Sequence, residues 1–218
     1  MRWLRNALLL LAGLVLALLV VSANYYYRGF YRTAASRSLL PVAIQSLPTT
    51  EAQRLSGKLA GLKQFAAARG YDTRIAFLVD MQLPSGKNRF FVCDLSGDSI
   101  LLSGLVAHGC GAGPFSNTPS FSNRNGSNCS SLGRYRIGRP YKGQFGPAYK
   151  LYGLDTTNDQ AFNRNIVLHA YTGVPDGETS PFPICNSRGC PMVSPAFLSR
   201  LQPLIDKSKR SLLLEIFE

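Results

Sequence analysis

The longest hydrophobic stretch of the chain lies near its N-terminus. An unbroken apolar run covers residues 7–21 and follows a short positive segment that contains Arg2 and Arg5. A positive segment, an apolar core of this length and the small residues at 21–23 form the pattern of a secretory signal peptide. The aromatic and basic residues 24–28 are instead typical of an anchor at a membrane interface. Residues 1–23 are therefore predicted to be a cleaved signal peptide or a signal anchor in the inner membrane, and both alternatives export the rest of the chain.

The hydrophobic pattern changes after this segment. Residues 24–70 are predicted to comprise a linker without periodicity, up to residue 50, and an amphipathic helix over residues 51–69. Apolar side chains recur at helical spacing on one face of that helix: Leu55, Leu59, Leu62 and Ala66. Gly70 follows at the position where helices commonly end.

Short apolar runs bounded by turn residues dominate the remainder of the chain. Such runs predict strands, here over residues 74–79, 89–94, 99–102, 133–137, 148–154, 165–169 and 211–217. A short helix is predicted over residues 195–205. Residues 109–131 form a long segment rich in Gly, Ser and Asn, and a segment of that length in a compact domain usually serves a function. Residues 71–218 are therefore predicted to fold as one mainly β domain.

The charge balance raises the question of a nucleic-acid partner. The formal net charge is +12, from 24 Lys and Arg against 12 Asp and Glu, and a strongly basic chain is often a nucleic-acid binder. The cations are scattered singly, however, as Arg134, Arg136, Arg139 and Lys142 illustrate. A basic surface also suits an acidic polymer or an anionic membrane face. Together with the predicted export, this pattern argues against nucleic acid as the partner.

The cysteines and histidines limit the possible chemistry. The predicted exported part contains two histidines and five cysteines: Cys93, Cys110, Cys129, Cys185 and Cys190. An odd number of cysteines in an oxidising compartment leaves at least one thiol unpaired, which is the first indication of a reactive cysteine. Their spacings match no zinc site, so neither a metal nor a cofactor is predicted.

One cysteine and one histidine fit the requirements of acyl transfer. His169 ends an apolar strand, and Cys190 follows the turn Ser187-Arg188-Gly189. Acyl transfer needs a thiolate, a base that takes its proton and amide donors for the oxyanion, and an imidazole titrates in the required range. The alternative is a disulfide between Cys185 and Cys190 with His169 as an ordinary core residue. The residues alone leave both interpretations open.

The motifs taken together resemble the catalytic domain of L,D-transpeptidases of the YkuD type. His169 followed by Ser187-Arg188-Gly189-Cys190 is similar to the family signature His … Ser-x-Gly-Cys. The chain also resembles the murein L,D-transpeptidase branch of that family in an ordered series of blocks, at residues 107–109, 115–117, 130–135, 141–143, 151–154 and 164–170. The resemblance covers residues 75–217. Two departures, Arg188 in place of His and Pro191-Met192 in place of Val-Asn, bear on substrate preference more than on chemistry.

The resemblance implies a β-sandwich-like catalytic domain over residues 71–218 and an exported cysteine acyl-transferase. Cys190 would attack the carbonyl at the L-centre of a diamino acid in a peptidoglycan stem tetrapeptide, and the terminal D-Ala would leave. An amine from a neighbouring stem would then resolve the thioester to a cross-link. His169 would act as the base, oriented by the backbone carbonyl of Ala170.

Further roles follow from the same resemblance. Ser187 would hold the turn, and the amides around Arg188, Gly189 and Cys190 would stabilise the oxyanion. Arg188 is a candidate for binding a stem carboxylate, since a guanidinium fork matches that group, or else a solvated turn residue. His108 is expected to be structural or substrate-lining rather than catalytic, and Asn117 to lie near the substrate. Sequence leaves the pairing of Cys93, Cys110, Cys129 and Cys185 open, with Cys110–Cys129 preferred because it would close the long loop.

Two other functions stay open at this level. One is a membrane-anchored protein that binds murein without catalysis. The other is a peptidase or L,D-carboxypeptidase that uses water as the acceptor. In each case the expected location is the periplasm or cell envelope, with the protein either secreted or held at the inner membrane by residues 7–23.

Overall fold

The N-terminal unit is one long helix. A computed structural model of the chain describes residues 2–35 and 41–218 and divides into two compact units, with the boundary at Pro41. Helix α1 spans Arg2–Ala35, so helical structure continues into the predicted linker as far as residue 35. Its apolar side chains from Leu9 to Val21 are exposed, whereas the side chains of residues 23–35, including the predicted aromatic anchor, lie outside those described. Within the described residues, no helix has the combined length and apolar character needed to cross a membrane.

The second unit contains a mixed sheet and two α-helices. The described strands are β1 (Val42–Ala43), β2 (Ile75–Asp80), β3 (Phe90–Asp94), β4 (Ser99–Gly104), β5 (Gly133–Gly143), β6 (Gly146–Gly153), β7 (Val167–Ala170), β8 (Met192–Val193) and β9 (Leu213–Phe217). The helices are α2 (Thr49–Arg69) and α3 (Pro195–Asp206). A single 3₁₀ turn, Ile44–Ser46, lies between β1 and α2. The domain is therefore mainly β, in agreement with the prediction.

The strand order places the C-terminus in the middle of the sheet. The described strands form one continuous sheet in the order β1-β4-β3-β2-β9-β5-β6-β7-β8, rather than two separate sheets. Strand β9 runs parallel to β2 and antiparallel to β5, so it joins the first hairpin of the domain to the later strands. The only other parallel pair among the described strands is β7 with β8. Backbone pairing thus makes the long β5–β6 hairpin and the β7–β8 pair parts of one continuous sheet.

Each face of the sheet is covered by its own apolar cluster. Along β2, Ala76 and Leu78 face the cluster that contains Leu55, Leu59 and Leu62 of α2. The alternate residues Phe77 and Val79 face the opposite cluster, which contains Phe197, Leu198 and Leu201 of α3. This alternation follows from the two-residue period of a strand. The two helices therefore cover opposite faces of the sheet.

The ends of both helices follow from local sequence. Gly70 ends α2 in the left-handed conformation, at φ 74°, which glycine adopts without steric cost. Helix α3 begins with a Ser194 side chain that accepts the Phe197 N–H at 3.0 Å, and Pro195 takes the first helical position, where its missing N–H costs nothing. The predicted helices at residues 51–69 and 195–205 thus match α2 and α3 within two residues at each end.

Two short strands were not predicted. β1 and β8 contain two residues each, too few to show a periodic pattern, and backbone pairing alone defines them. Strand β5 is longer than predicted, and its register shifts between Ile137 and Pro140. Such an irregularity lets a proline lie within a strand.

Truncation of a core residue of α2 tests the packing of the helix on the sheet. Leu59 is almost fully buried, so Leu59→Ala is expected to lower the free energy of unfolding by about 2–4 kcal/mol. Urea unfolding of the two proteins measures this difference. The exposed neighbour Lys63 provides the control, since Lys63→Ala should change stability by less than about 0.5 kcal/mol. Equal effects of the two substitutions would contradict the assigned face.

Candidate active site

The parallel pair β7–β8 brings the candidate base and nucleophile together. His169 on β7 lies opposite Met192 on β8, and Cys190 precedes Met192 closely in the chain. Both His169 and Cys190 line a cavity of about 600 Å³. Its other lining residues are Cys110, Pro114, Gln144, Phe145, Tyr171, Cys185, Asn186, Ser187, Arg188 and Met192. Residues far apart in sequence therefore converge on one concave surface.

A backbone contact fixes the orientation of the His169 ring. Its Nδ1 lies 2.9 Å from the carbonyl oxygen of Ala170. Because a carbonyl only accepts, Nδ1 must carry the proton, and Nε2 of the neutral ring is a free base. The side chain is 6% exposed, and burial lowers the pKa of His169 below its ordinary value. The imidazole is thus neutral and able to accept a proton at neutral pH.

An aromatic side chain that the sequence did not indicate covers this imidazole. Phe145 lies in the turn between β5 and β6, and its ring stacks on His169 with centroids 5.2 Å apart and planes inclined by 16°. The rings of Tyr171 and Phe145 pack edge to face, with centroids 5.9 Å apart. The Phe145 side chain is 54% exposed. The next residue, Gly146, has a φ of 92°, a backbone conformation that favours glycine at that position of the turn. The sequence feature that could have indicated this contact is an aromatic residue in a turn between two glycines, Gly143 and Gly146.

The Cys190 thiol makes its hydrogen bond away from the imidazole. Its Sγ donates to the carbonyl oxygen of Asn165 at 3.7 Å, and no hydrogen bond joins it to His169 within the described residues. Burial raises the pKa of the Cys190 thiol, whereas the Val167 N–H and the charges of Arg164 and Lys150 oppose that increase. The thiol is therefore held in its protonated form in this conformation.

The turn before the nucleophile is held from within. The Gly189 N–H donates to Ser187 Oγ at 3.0 Å, a hydrogen bond of the kind expected if Ser187 holds the turn. The same bond engages the Gly189 amide, one of the three amides predicted to stabilise an oxyanion, and that role stays a prediction. The backbone N–H groups of Arg188 and Cys190 donate to no group in the described chain. These two amides are therefore available to an oxyanion.

The conformation of Gly189 explains why this position carries no side chain. Its φ is 110°, in the region that favours glycine. A Cβ there would lie 2.6 Å from the carbonyl oxygen of Cys129 and 3.2 Å from Cδ1 of Ile166. Both strain and contact therefore require glycine immediately before the nucleophile.

His108 is locked in a buried hydrogen-bond chain. The guanidinium of Arg89, fully buried, donates to Nδ1 of His108 at 2.8 Å. Since an arginine cannot accept, Nδ1 is unprotonated and Nε2–H donates to the Ser116 carbonyl at 3.1 Å. Burial, followed by the charge of Arg89, lowers the pKa of His108 to about 4. This geometry favours the structural role, in which His108 fastens the loop at Ser116.

The three predicted substrate-binding residues differ in their positions. Arg188 is exposed and lines the cavity. His108 is 0% exposed and lines no part of it. Asn117 is exposed but does not line the cavity either. Of the three, only Arg188 lies where a ligand in this cavity would meet it.

None of the five cysteines is paired in the structure, and the preferred Cys110–Cys129 disulfide is not formed. All five are free thiols. Cys110 lines the cavity with Cys185 and Cys190. The residues that lie against the segment around Cys129 are the two neighbours of Cys110, Gly109 and Gly111. Cys129 instead contacts Ser120 Oγ at 3.4 Å. Within the described residues, no group of three His, Cys, Asp or Glu side chains could hold a metal ion.

The low pKa of His108 predicts a pH-dependent stability. In the unfolded chain a histidine titrates near 6.5, whereas folded His108 binds its proton only near pH 4. The unfolded state therefore binds more protons between these values, and stability falls as the pH decreases through this range. In a His169→Gln variant, which retains one histidine, the free energy of unfolding should be about 2 kcal/mol lower at pH 5 than at pH 7.

Urea unfolding at the two pH values measures this change, and NMR titration of the remaining imidazole checks its origin. A His108 signal that titrates near pH 6.5, or an unfolding free energy independent of pH, would contradict the buried neutral assignment.

Comparisons with known proteins agree with the motifs. The family model of the L,D-transpeptidase catalytic domain matches residues 47–214, a range that includes α2. Among solved structures, Pgp2 of Campylobacter jejuni, a helical cell shape determining protein, has 13% identity and a TM-score of 0.42, over 66% of this chain and 47% of that chain. Bd1075 of Bdellovibrio bacteriovorus has 19% identity and a TM-score of 0.42, over 68% of this chain and 49% of that chain.

A third structure, the L,D-transpeptidase from Xylanimonas cellulosilytica, has 12% identity and a TM-score of 0.36, over 71% of this chain and 68% of that chain. The chain spans about half the length of the first two. A search of curated proteins returned no match. The family match covers most of the sequence and all of the cavity described above, and the chain therefore belongs to the L,D-transpeptidase catalytic domain family.

Proposed function

We propose that the protein is an exported cysteine acyl-transferase that acts on peptidoglycan stem peptides, with Cys190 as nucleophile and His169 as base. The observation that carries the proposal is the shared cavity of these two residues, in which the Nδ1 contact with Ala170 leaves Nε2 of His169 unprotonated. A neutral imidazole beside a thiol is the arrangement that acyl transfer requires. Family membership supports peptidoglycan as the substrate.

The acylation step follows from these groups. Nε2 of His169 takes the thiol proton, and Sγ of Cys190 attacks the carbonyl carbon that precedes the terminal D-Ala. The N–H groups of Arg188 and Cys190 stabilise the oxyanion. When this intermediate collapses, the C–N bond breaks, His169 returns the proton to the leaving amine, and a thioester remains on Cys190.

The thiol must exchange its hydrogen-bond partner before it can react. In the structure Cys190 Sγ donates to the Asn165 carbonyl, and this bond must give way to a contact with Nε2 of His169, which lines the same cavity. Catalytic hydrogen bonds are often long or absent until substrate binds. Substrate binding thus completes the pair, and the unliganded thiol stays protonated and less open to oxidation.

The acceptor decides the product. An amine of a second stem peptide that attacks the thioester gives a cross-link, and its proton passes to Nε2 of His169. Water in the same position gives a shortened stem peptide and a carboxypeptidase. In both reactions the thiol of Cys190 is regenerated, so acylation is common to the two outcomes.

Export is part of the proposal. The apolar run at residues 7–21 behind Arg2 and Arg5 supports a signal peptide or signal anchor. The substrate lies outside the cytoplasm, so an enzyme of this activity must be exported to meet it. The basic surface of the chain also suits a wall polymer that carries free carboxylates.

The acyl-enzyme is the species to detect. Intact-mass analysis of the reduced protein with a disaccharide tetrapeptide, or with a carbapenem, should show one covalent adduct on the wild type. The peptide adduct should have the mass of the donor without its D-Ala. Cys190→Ala should abolish the adduct because the attacking sulfur is absent.

Cys185→Ala is the matched control, since it removes a second thiol of the same cavity and should leave the adduct in place. An adduct that persists in Cys190→Ala would reject this nucleophile. A folded wild type that forms no adduct would leave a wall-binding protein as the function.

Arg188 provides a test of substrate recognition. We expect Arg188→Gln to raise KM by about 10-fold with little change in kcat, because a charge-assisted hydrogen bond to a stem carboxylate is lost. Arg188→Lys should be intermediate, since a lysine cannot form the two-pronged contact. Steady-state kinetics measure both, and Arg200→Gln on the exposed side of α3 controls for net charge. An unchanged KM would identify Arg188 as a solvated turn residue.

A further inference from the structure

One arginine outside the signature is bound to four groups beneath the nucleophile. Arg164 lies just before β7, and its guanidinium is partly buried. Nη1 donates to the Ser122 carbonyl at 2.7 Å and to Ser131 Oγ at 3.2 Å. Nη2 donates to the Cys129 carbonyl at 2.6 Å and to Ser127 Oγ at 3.3 Å. A single side chain therefore holds the end of the long loop against the strand that carries the base.

This guanidinium is also packed against the nucleophile turn. A Cβ added to Gly189 would lie 2.6 Å from the Cys129 carbonyl oxygen, which accepts a hydrogen bond from Arg164. It would lie 3.3 Å from Arg164 Nη2. Ser130, in the same segment, donates to the Gly189 carbonyl at 3.4 Å. The segment held by Arg164 thus forms the support on which Gly189 and Cys190 rest.

A second cation contacts Asn165, the residue that follows Arg164. Lys150 Nζ donates to Asn165 Oδ1 at 2.7 Å, and the Asn165 carbonyl accepts from Cys190 Sγ. Asn165 itself has a φ of 56°, a left-handed conformation that asparagine tolerates better than most residues. The Cys190 thiol therefore lies beside two consecutive residues. Arg164 carries one positive charge, and Asn165 binds the second, that of Lys150.

Neither cation is neutralised by a carboxylate. The ion pairs formed by the described residues are Arg54–Asp80, Lys58–Glu215, Arg74–Asp72 and Arg134–Asp155, and none involves Arg164 or Lys150. The charges of both lower the pKa of Cys190 against the effect of burial. The other titratable or charged groups that face the thiol are Tyr141, His169, Cys110, Cys185 and Arg188.

We propose that Arg164 is a positioning residue for Cys190, which fixes the loop beneath the nucleophile turn and, with Lys150, supplies the positive field in which the thiolate forms. The inference rests on the proposed function, because a thiolate is required only if Cys190 attacks a substrate. It adds to that function a means of thiol activation that does not depend on a prior ion pair with His169.

Alkylation of Cys190 by iodoacetamide as a function of pH tests the proposal without any substrate. Peptide mass mapping separates Cys190 from the other four thiols. In Arg164→Met the midpoint of the rate profile should rise by about 1 pH unit, because an opposite charge near the thiolate is lost. The rate at pH 7 should then fall about 3- to 10-fold, whereas the rate at high pH should be unchanged. Arg164→Lys should recover most of the midpoint, because it keeps the charge.

Arg124→Met is the matched control, since Arg124 is an exposed residue of the same loop and should leave the midpoint in place. An unchanged midpoint in Arg164→Met would overturn the proposal, as would faster alkylation at every pH, which would show that the arginine only keeps the turn folded.

The outcome separates this inference from the proposed function. If the wild type forms the acyl-enzyme but Arg164→Met leaves the midpoint unchanged, only the role of Arg164 fails. If the wild type forms no acyl-enzyme, the proposed function fails whatever the alkylation profile shows.

Discussion

Two backbone pairings, His169 with Met192 and Ala170 with Val193, hold the base strand and the strand after the nucleophile side by side. The site depends on this short parallel contact, because no side-chain bond joins Cys190 to His169 within the described residues. β7 is in turn paired with β6, and β6 with β5, so the position of the imidazole is set by the whole sheet.

The loop of residues 109–131 is held by polar side chains that are buried or partly buried. Arg89 donates to His108, and His108 donates to the loop at Ser116. Arg164 holds the other end of the loop through Ser122 and Cys129. Buried polar groups specify a conformation only when they are all satisfied. These two chains are satisfied, and they keep a segment rich in glycine and serine in one conformation beside the nucleophile.

The sequence identified the parts of this structure that depend on local pattern. The apolar spacing of Leu55, Leu59 and Leu62 predicted α2, and the alternation in residues 74–79 predicted β2. His169 and Cys190 were found as a signature, although sequence spacing alone could not show that they share a cavity. The turn role of Ser187 was predicted from the same signature. In each case the information lies in neighbouring residues.

What the sequence could not give depends on contacts between distant segments. The stack of Phe145 on His169 requires the β5–β6 hairpin to reach the end of β7, and no local pattern encodes that reach. Strand β8 has only two residues, so nothing marks it before it pairs. The hydrogen bond of the Gly189 amide to Ser187 depends on the turn conformation, and a pairing of Cys110 with Cys129 was preferred without knowledge of the contacts of Gly109 and Gly111. The same limitation concealed the contacts of Arg164, whose four partners lie on a separate loop.

The central claim is that the cavity of Cys190 and His169 transfers an acyl group from one stem peptide to another. The most direct measurement is mass-spectrometric analysis of the muropeptides released from peptidoglycan after incubation with the purified protein. The account predicts new cross-linked species, each formed with the loss of one D-Ala, that are absent with Cys190→Ala and with His169→Gln. A protein that binds the peptidoglycan and leaves every muropeptide unchanged would contradict it.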